Sequence, residues 1–239
     1  MKTEILKLIY KAKDFEKGKS INTLNEILNG YKKEEYHTKP SNLSLENIKS
    51  TGETAYQRAI FLSEKTILEK LGEVVWNDLE LPVIFSKSPR RRCVDLIGTL
   101  NNNTLVLCEL KFTSSNSYYS NSPIYAVVEL LIYYYLIKDN KEELDNKKVF
   151  HIGERVTSFN WSDFNNNSIF VVGANEKYWD YWLERYEKQK NEIDLWLKSL
   201  PLKVRFFSSD DFDFKKQKEN KEEYTPSIFD KTEWTEIYL

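Results

Sequence analysis

The feature that most constrains this chain is a pair of strand-like runs, Arg92 to Leu100 and Thr104 to Phe112, separated by Asn101-Asn102-Asn103. Asparagine tolerates left-handed backbone angles, so three in a row between two β-type segments predict a tight hairpin. A three-residue loop pairs Leu100 with Thr104, and counting back along both arms sets Asp95 opposite Glu109. Directly opposed side chains lie about 4.5–5.5 Å apart, where like charges destabilise unless something positive joins them. Side chains alternate along a strand. Glu109 and Lys111 therefore share a face with Leu105 and Leu107, whereas Val106, Cys108, Leu110 and Phe112 cover the other.

Composition bounds what surrounds this hairpin. An apolar share of 41% with only seven Gly and six Pro in 239 residues excludes disordered and collagen-like chains. Lys and Arg (35) nearly balance Asp and Glu (37), so global charge gives no argument for a nucleic-acid partner, and any partner has to be argued from a site. Two cysteines, Cys93 and Cys108, make neither a disulfide framework nor a structural zinc site. Two histidines, His37 and His151, leave carboxylates and lysine as the candidate hydrolytic groups. The longest apolar run, Ile124 to Ile137, spans 14 residues and is interrupted by Glu129. A bilayer needs about 20. The expectation is a soluble cytoplasmic protein with no membrane partner.

Along the chain, residues 1–50 read as a mostly helical appendage, with an apolar cluster at Ile5, Leu6, Leu8 and Ile9 and a turn at Asn29-Gly30. Helical spacing of apolar residues from Thr54 to about Leu71 predicts one long amphipathic helix ending at Gly72. Short apolar runs, Val74 to Trp76 and Val83 to Phe85, flank Pro82. Pro123 suits the first turn of a buried helix running to Ile137, and Lys138 to Lys148 reads as a charged connection. Strands are expected at Val149 to Gly153, Ser168 to Gly173 and Lys203 to Phe207, with a long aromatic helix over Glu176 to Leu200. Tyr133, Tyr134, Tyr135, Trp179, Trp182 and Trp196 are expected in packing. A charged segment with a short strand, 211–239, ends the chain.

The hairpin carries the chemistry. Hard oxygen ligands suit Mg²⁺ or Mn²⁺, which polarises a phosphate and lowers the pKa of a bound water. Asp95 and Glu109 are the expected ligands, with the Leu110 carbonyl completing the shell. Lys111 is expected to orient the attacking water and to stabilise charge on the phosphate. Arg90, Arg91 and Arg92 enter the same strand and offer a phosphate grip.

Val94-Asp95, thirteen intervening residues, then Glu109-Leu110-Lys111 resembles the core of the PD-(D/E)XK nuclease superfamily, with Val94 in place of the usual Pro. The resemblance covers roughly Gly52 to Ile137. It implies an α/β fold, restriction-endonuclease-like, with a mixed central sheet built on the hairpin and helices on both faces, over residues 51–210. It also implies a Glu in the preceding helix, matched best by Glu64 as a metal ligand, then by Glu69, with Glu53 a poorer third. Glu129 in the following helix is the matching polar residue near the site. The implied activity is Mg²⁺-dependent cleavage of DNA phosphodiester bonds. The residues do not separate DNA from RNA, and double-strand cutting would favour a homodimer. The competing reading is a non-catalytic nucleic-acid-binding or interaction module. The blandest reading makes Asp95, Glu109 and Lys111 a solvated cross-strand ion pair worth under about 1 kcal/mol.

Overall fold

The computed structural model describes residues 4–17, 36–37, 52–85, 92–101, 104–113, 121–146, 161–164, 167–209 and 233–239. The expected turn at Asn29-Gly30, Arg90, Arg91, Asn102, Asn103, the expected strand at Val149 to Gly153 with His151, and the charged residues 211–232 lie outside these. In chain order the elements are α1 (Glu4–Glu16), β1 (Tyr36–His37), α2 (Glu53–Leu62), β2 (Lys65–Leu68), β3 (Gly72–Phe85), β4 (Arg92–Leu100) and β5 (Thr104–Lys111). Then follow α3 (Pro123–Asn146), β6 (Ile169–Asn175), α4 (Glu176–Tyr186), α5 (Lys190–Lys198), β7 (Val204–Ser209) and β8 (Glu233–Ile237).

The strands run β3-β2-β8-β7-β6-β5-β4, and β4 pairs back onto β3, so seven strands close into a mixed barrel. This corrects the expectation of an open restriction-endonuclease-like sheet with helices on both faces. Closure follows from two features. β3 is 14 residues long and serves three partners, bonding β2 through Gly72 to Val75, β4 through Val74 to Val83 and the short β1 at Ile84 and Phe85. β8 slots between β2, to which it is parallel, and β7, to which it is antiparallel. The inner face then buries Trp76, Trp234, Leu96, Leu100, Val106, Cys108, Leu110, Val171 and Phe207, with Tyr56 and Phe61 of α2 packed against them. The interior is tight. A Cβ on Gly173 would lie 2.4 Å from the Trp234 ring, and one on Gly98 would lie 2.6 Å from the Val75 carbonyl.

The remaining helices cover the outside. α3 is apolar nearly all round because it is enclosed, with the Leu105, Leu107 and Ile97 face of the barrel on one side and Ile9, Ala12 and Phe15 of α1 on the other. It continues past Ile137 to Asn146, through a break at Asn140, over residues expected to be a connection. The aromatic helix expected over Glu176 to Leu200 is two helices, α4 and α5, joined by a tight turn at Glu187–Gln189. Tyr133, Tyr134, Trp179, Trp182 and Trp196 are buried in this outer core. No helix among the described residues is long and apolar enough to cross a membrane.

The β4–β5 hairpin has the register read from the sequence from Leu100 with Thr104 to Leu96 with Cys108, and the ladder stops there, one rung short of the expected pairing of Asp95 with Glu109. On β5 the two faces divide as alternation requires, Leu105 and Leu107 outward and Val106, Cys108 and Leu110 inward, whereas on β4 Val94 and Leu96, which flank Asp95, fall in opposite cores. On the β3 side the ladder shifts between Trp76 and Asp78, and Glu80, between the Leu79–Leu96 and Leu81–Val94 rungs, has φ 52°. A non-glycine residue in the left-handed region bends the strand where it faces Asp95.

Candidate active site

β5, β6 and β7 run parallel, and their carboxyl ends, at Lys111, Asn175 and Ser209, lie side by side. Asn175 pins the chain leaving β5. Its Oδ1 accepts the Thr113 N–H at 2.9 Å and its Nδ2 donates to the Thr113 carbonyl at 3.0 Å. Tyr56 of α2 reaches the Ser209 hydroxyl at 2.6 Å, which ties α2 to the same end.

Asp95, Glu109 and Lys111 gather here. The Leu110 N–H donates to Asp95 Oδ2 at 2.7 Å across the hairpin. Within an extended residue the N–H and C=O point to the same side, so the Leu110 carbonyl faces β4 as well. Lys111 Nζ donates to Glu109 Oε1 at 2.8 Å and to Glu129 Oε2 of α3 at 3.3 Å. Glu109 and Lys111 are 4% and 3% exposed, which removes the solvated surface pair as a description of them. Glu129 is buried, and Asp95 is half-buried.

Two residues of α2 complete the cluster. Gln57 Nε2 donates to the Asp95 backbone carbonyl at 2.9 Å and to Asp95 Oδ1 at 3.1 Å. Glu53, at the helix start, is accessible to solvent at the rim. It interacts electrostatically with Lys111 and Glu129, and its carboxylate accepts the Phe112 N–H. Glu53 and Gln57 are one helical turn apart, so both face the site. That i, i+4 spacing was the sequence signal for them, and Gln57 went unread because neutral amides are common on helices.

Glu64 and Glu69, the preferred matches for this helical acid, are elsewhere. α2 ends at Leu62, and the β-branched Thr66-Ile67 pair leaves as β2. Glu64 is exposed in the turn at φ 67°, its carbonyl accepting the Trp76 N–H, and a ten-residue helix puts it about 15 Å from Glu53. Glu69 accepts the Glu236 N–H at 2.9 Å beside β8. Arg92 opens β4 opposite Val83.

The electrostatics are unbalanced. Four carboxyl groups, Glu53, Asp95, Glu109 and Glu129, act on one ammonium group, Lys111. Desolvation, opposed by Lys111 and reinforced by Glu53, raises the Asp95 carboxyl to about 7. Desolvation and the Asp95 charge push Glu109 well above the carboxylate range, and desolvation raises Glu53. Burial works against the charge on Lys111, but Glu109 and the other carboxylates outweigh it and hold the ammonium protonated. Glu109 Oε2 is buried and no donor among the described residues reaches it, while the Glu129 carboxyl, within hydrogen-bonding range of Glu109, pushes Glu109 further up.

This donor set fits a hard divalent cation. A buried carboxylate oxygen lacks a partner among the described residues, four carboxyl groups stand about one lysine, and the candidate ligands are oxygens. Among the described residues no group of three or more His, Cys, Asp or Glu side chains is placed to hold a metal ion, so a cation here would rest on the two carboxylates Asp95 and Glu109. Mg²⁺ typically takes one or two carboxylates and fills the rest of its shell with water and substrate phosphate, so an open two-carboxylate site suits it better than Zn²⁺ or Ca²⁺. Comparison of the chain with protein-family models, with curated proteins and with solved structures returns no match.

Proposed function

We propose that this protein is a metal-dependent nuclease that hydrolyses DNA phosphodiester bonds at the cluster of Asp95, Glu109 and Lys111. The observation that carries the reading is the gathering of Glu53, Asp95, Glu109 and Glu129 about the buried Lys111, with no donor among the described residues on Glu109 Oε2. Asp95 and Glu109 would hold Mg²⁺ or Mn²⁺, with the Leu110 carbonyl beside them and Glu53, rather than Glu64, as the nearby helical acid. When bound, the ion supplies Lewis-acid polarisation of the phosphate and a water of lowered pKa. Lys111 stays protonated near neutral pH, so it acts as a fixed positive charge and donor and not as a general base. Glu129 holds that ammonium group from the α3 side. DNA as substrate follows from the motif's resemblance to the PD-(D/E)XK superfamily, and paired cuts in a duplex would use a homodimer. Neither Cys93 nor Cys108 forms a disulfide, in keeping with a cytoplasmic setting.

The test incubates wild type and Asp95→Ala with plasmid, single-stranded DNA and RNA in Mg²⁺ and in Mn²⁺. Metal-dependent cleavage by wild type that falls at least about 100-fold in Asp95→Ala is the expected result, the size typical of losing one well-placed catalytic interaction. Equal activity in the two proteins defeats the reading. Nucleic-acid binding without cleavage would leave the interaction-module reading in its place.

A further inference from the structure

We infer that Gln57 is the positioning residue of the site, and that its amide holds the Asp95 carboxylate in its working orientation before any ligand arrives. This rests on the nuclease reading and adds a residue that the motif does not contain. Gln57 is 4% exposed, and one nitrogen of its amide bonds two atoms of the same residue, the Asp95 backbone carbonyl and Oδ1. Bonding the main chain and the side chain of Asp95 together restricts its side-chain rotation. The Leu110 N–H takes the other carboxylate oxygen, Oδ2. Both oxygens are thereby placed by neutral donors, and each keeps a lone pair for a cation. The opposite amide orientation would set the Gln57 oxygen against two Asp95 oxygens, so the donor assignment follows from electrostatics. Gln57 projects from α2, which Tyr56 anchors through the Ser209 hydroxyl, so the clamp stands on a rigid element.

The experiment measures Mn²⁺ binding by electron paramagnetic resonance, and DNA cleavage, for the full-length wild type, Gln57→Met and Gln57→Asn. Gln57→Met keeps the volume and loses both bonds, whereas Gln57→Asn keeps the amide one methylene too short to span both acceptors. Outer-sphere partners of metal ligands typically govern about 10- to 100-fold in metal affinity. Both variants are therefore expected to bind Mn²⁺ at least about tenfold more weakly, with the KM for DNA unchanged and much of kcat recovered at saturating Mn²⁺. Gln57→Asn keeps the test open should Gln57→Met fail to fold. Wild-type Mn²⁺ affinity in both variants, with only the melting temperature lowered, overturns the inference and leaves the nuclease reading standing. A wild type that neither binds Mn²⁺ nor cleaves overturns both.

Discussion

At the amino end of β7, Arg205 meets Glu236 at 2.5 Å, Tyr238 donates to the same carboxylate at 2.6 Å, and Lys70 bridges Glu69 and Glu236. At the carboxyl end of β5, Lys111 meets Glu109 at 2.8 Å. Both clusters set carboxyl groups against cations, and they differ in outcome. Two cations match two carboxylates in the first, and a backbone N–H from Glu236 leads the groups holding Glu69 below its ordinary range. Burial pushes Glu236 up, yet Tyr238, Arg205 and Lys70 outweigh it and hold it down. In the second, four carboxyl groups share one lysine, and Asp95, Glu109 and Glu53 are all raised. A satisfied network near solvent staples the seam where β2, β8 and β7 close the barrel. An unsatisfied one, largely buried, stores repulsion that a ligand can relieve.

The largest expected effect comes from removing Lys111, the one fully buried cation among the described residues. Lys111→Met leaves Glu109 and Glu129 without it, and breaking a buried pair costs about 3–5 kcal/mol. Urea unfolding at pH 8 is expected to show that loss, and a cost near zero would mean that Glu109 is neutral and the repulsion is not there. The second effect is on pH dependence. With the folded Asp95 carboxyl at about 7 against an ordinary 3.8, its stabilising contribution is complete below about 4 and is lost as the pH rises through 7. Glu109 and Glu53 shift in the same direction. The metal-free protein should therefore melt higher at pH 5 than at pH 8, and Mn²⁺ should raise the melting temperature more at pH 8. The lowered Glu69 and Glu236 run the other way, their contribution being lost as the pH falls through their folded values. A scan from pH 5 down to pH 3 is expected to show the acid loss, and Arg205→Met should blunt it. The smallest effect is at the exposed cation of the seam. Lys70→Ala is expected to leave the melting temperature within experimental scatter, since Glu236 keeps Arg205 and Tyr238 and Glu69 keeps the Glu236 N–H.

The hairpin and its charged face were legible because each signal is local. A run of three asparagines marks the turn in the sequence, and alternation along β5 sorts Glu109 and Lys111 from Leu110. The helical acid was misread because Lys65-Thr66-Ile67-Leu68 carries apolar residues that also fit a helical spacing. Gly72, read as a helix end, is instead the left-handed residue, φ 117°, at the turn from β2 into β3. The barrel was not legible at all. Its closure depends on Trp234 and its strand meeting β2 across most of the chain, and no local pattern encodes a partner at that distance.

That distant pairing bears on how the molecule comes together. Ile67 bonds to a rung at Glu233, so β2 and β7 remain raw edges until the segment carrying Trp234 arrives to fill the gap. Edges of this kind invite pairing with other chains, and contacts between far-separated residues form slowly. A newly made copy would be most vulnerable to clumping in that interval, and a chain cut short before Trp234 would stay in it.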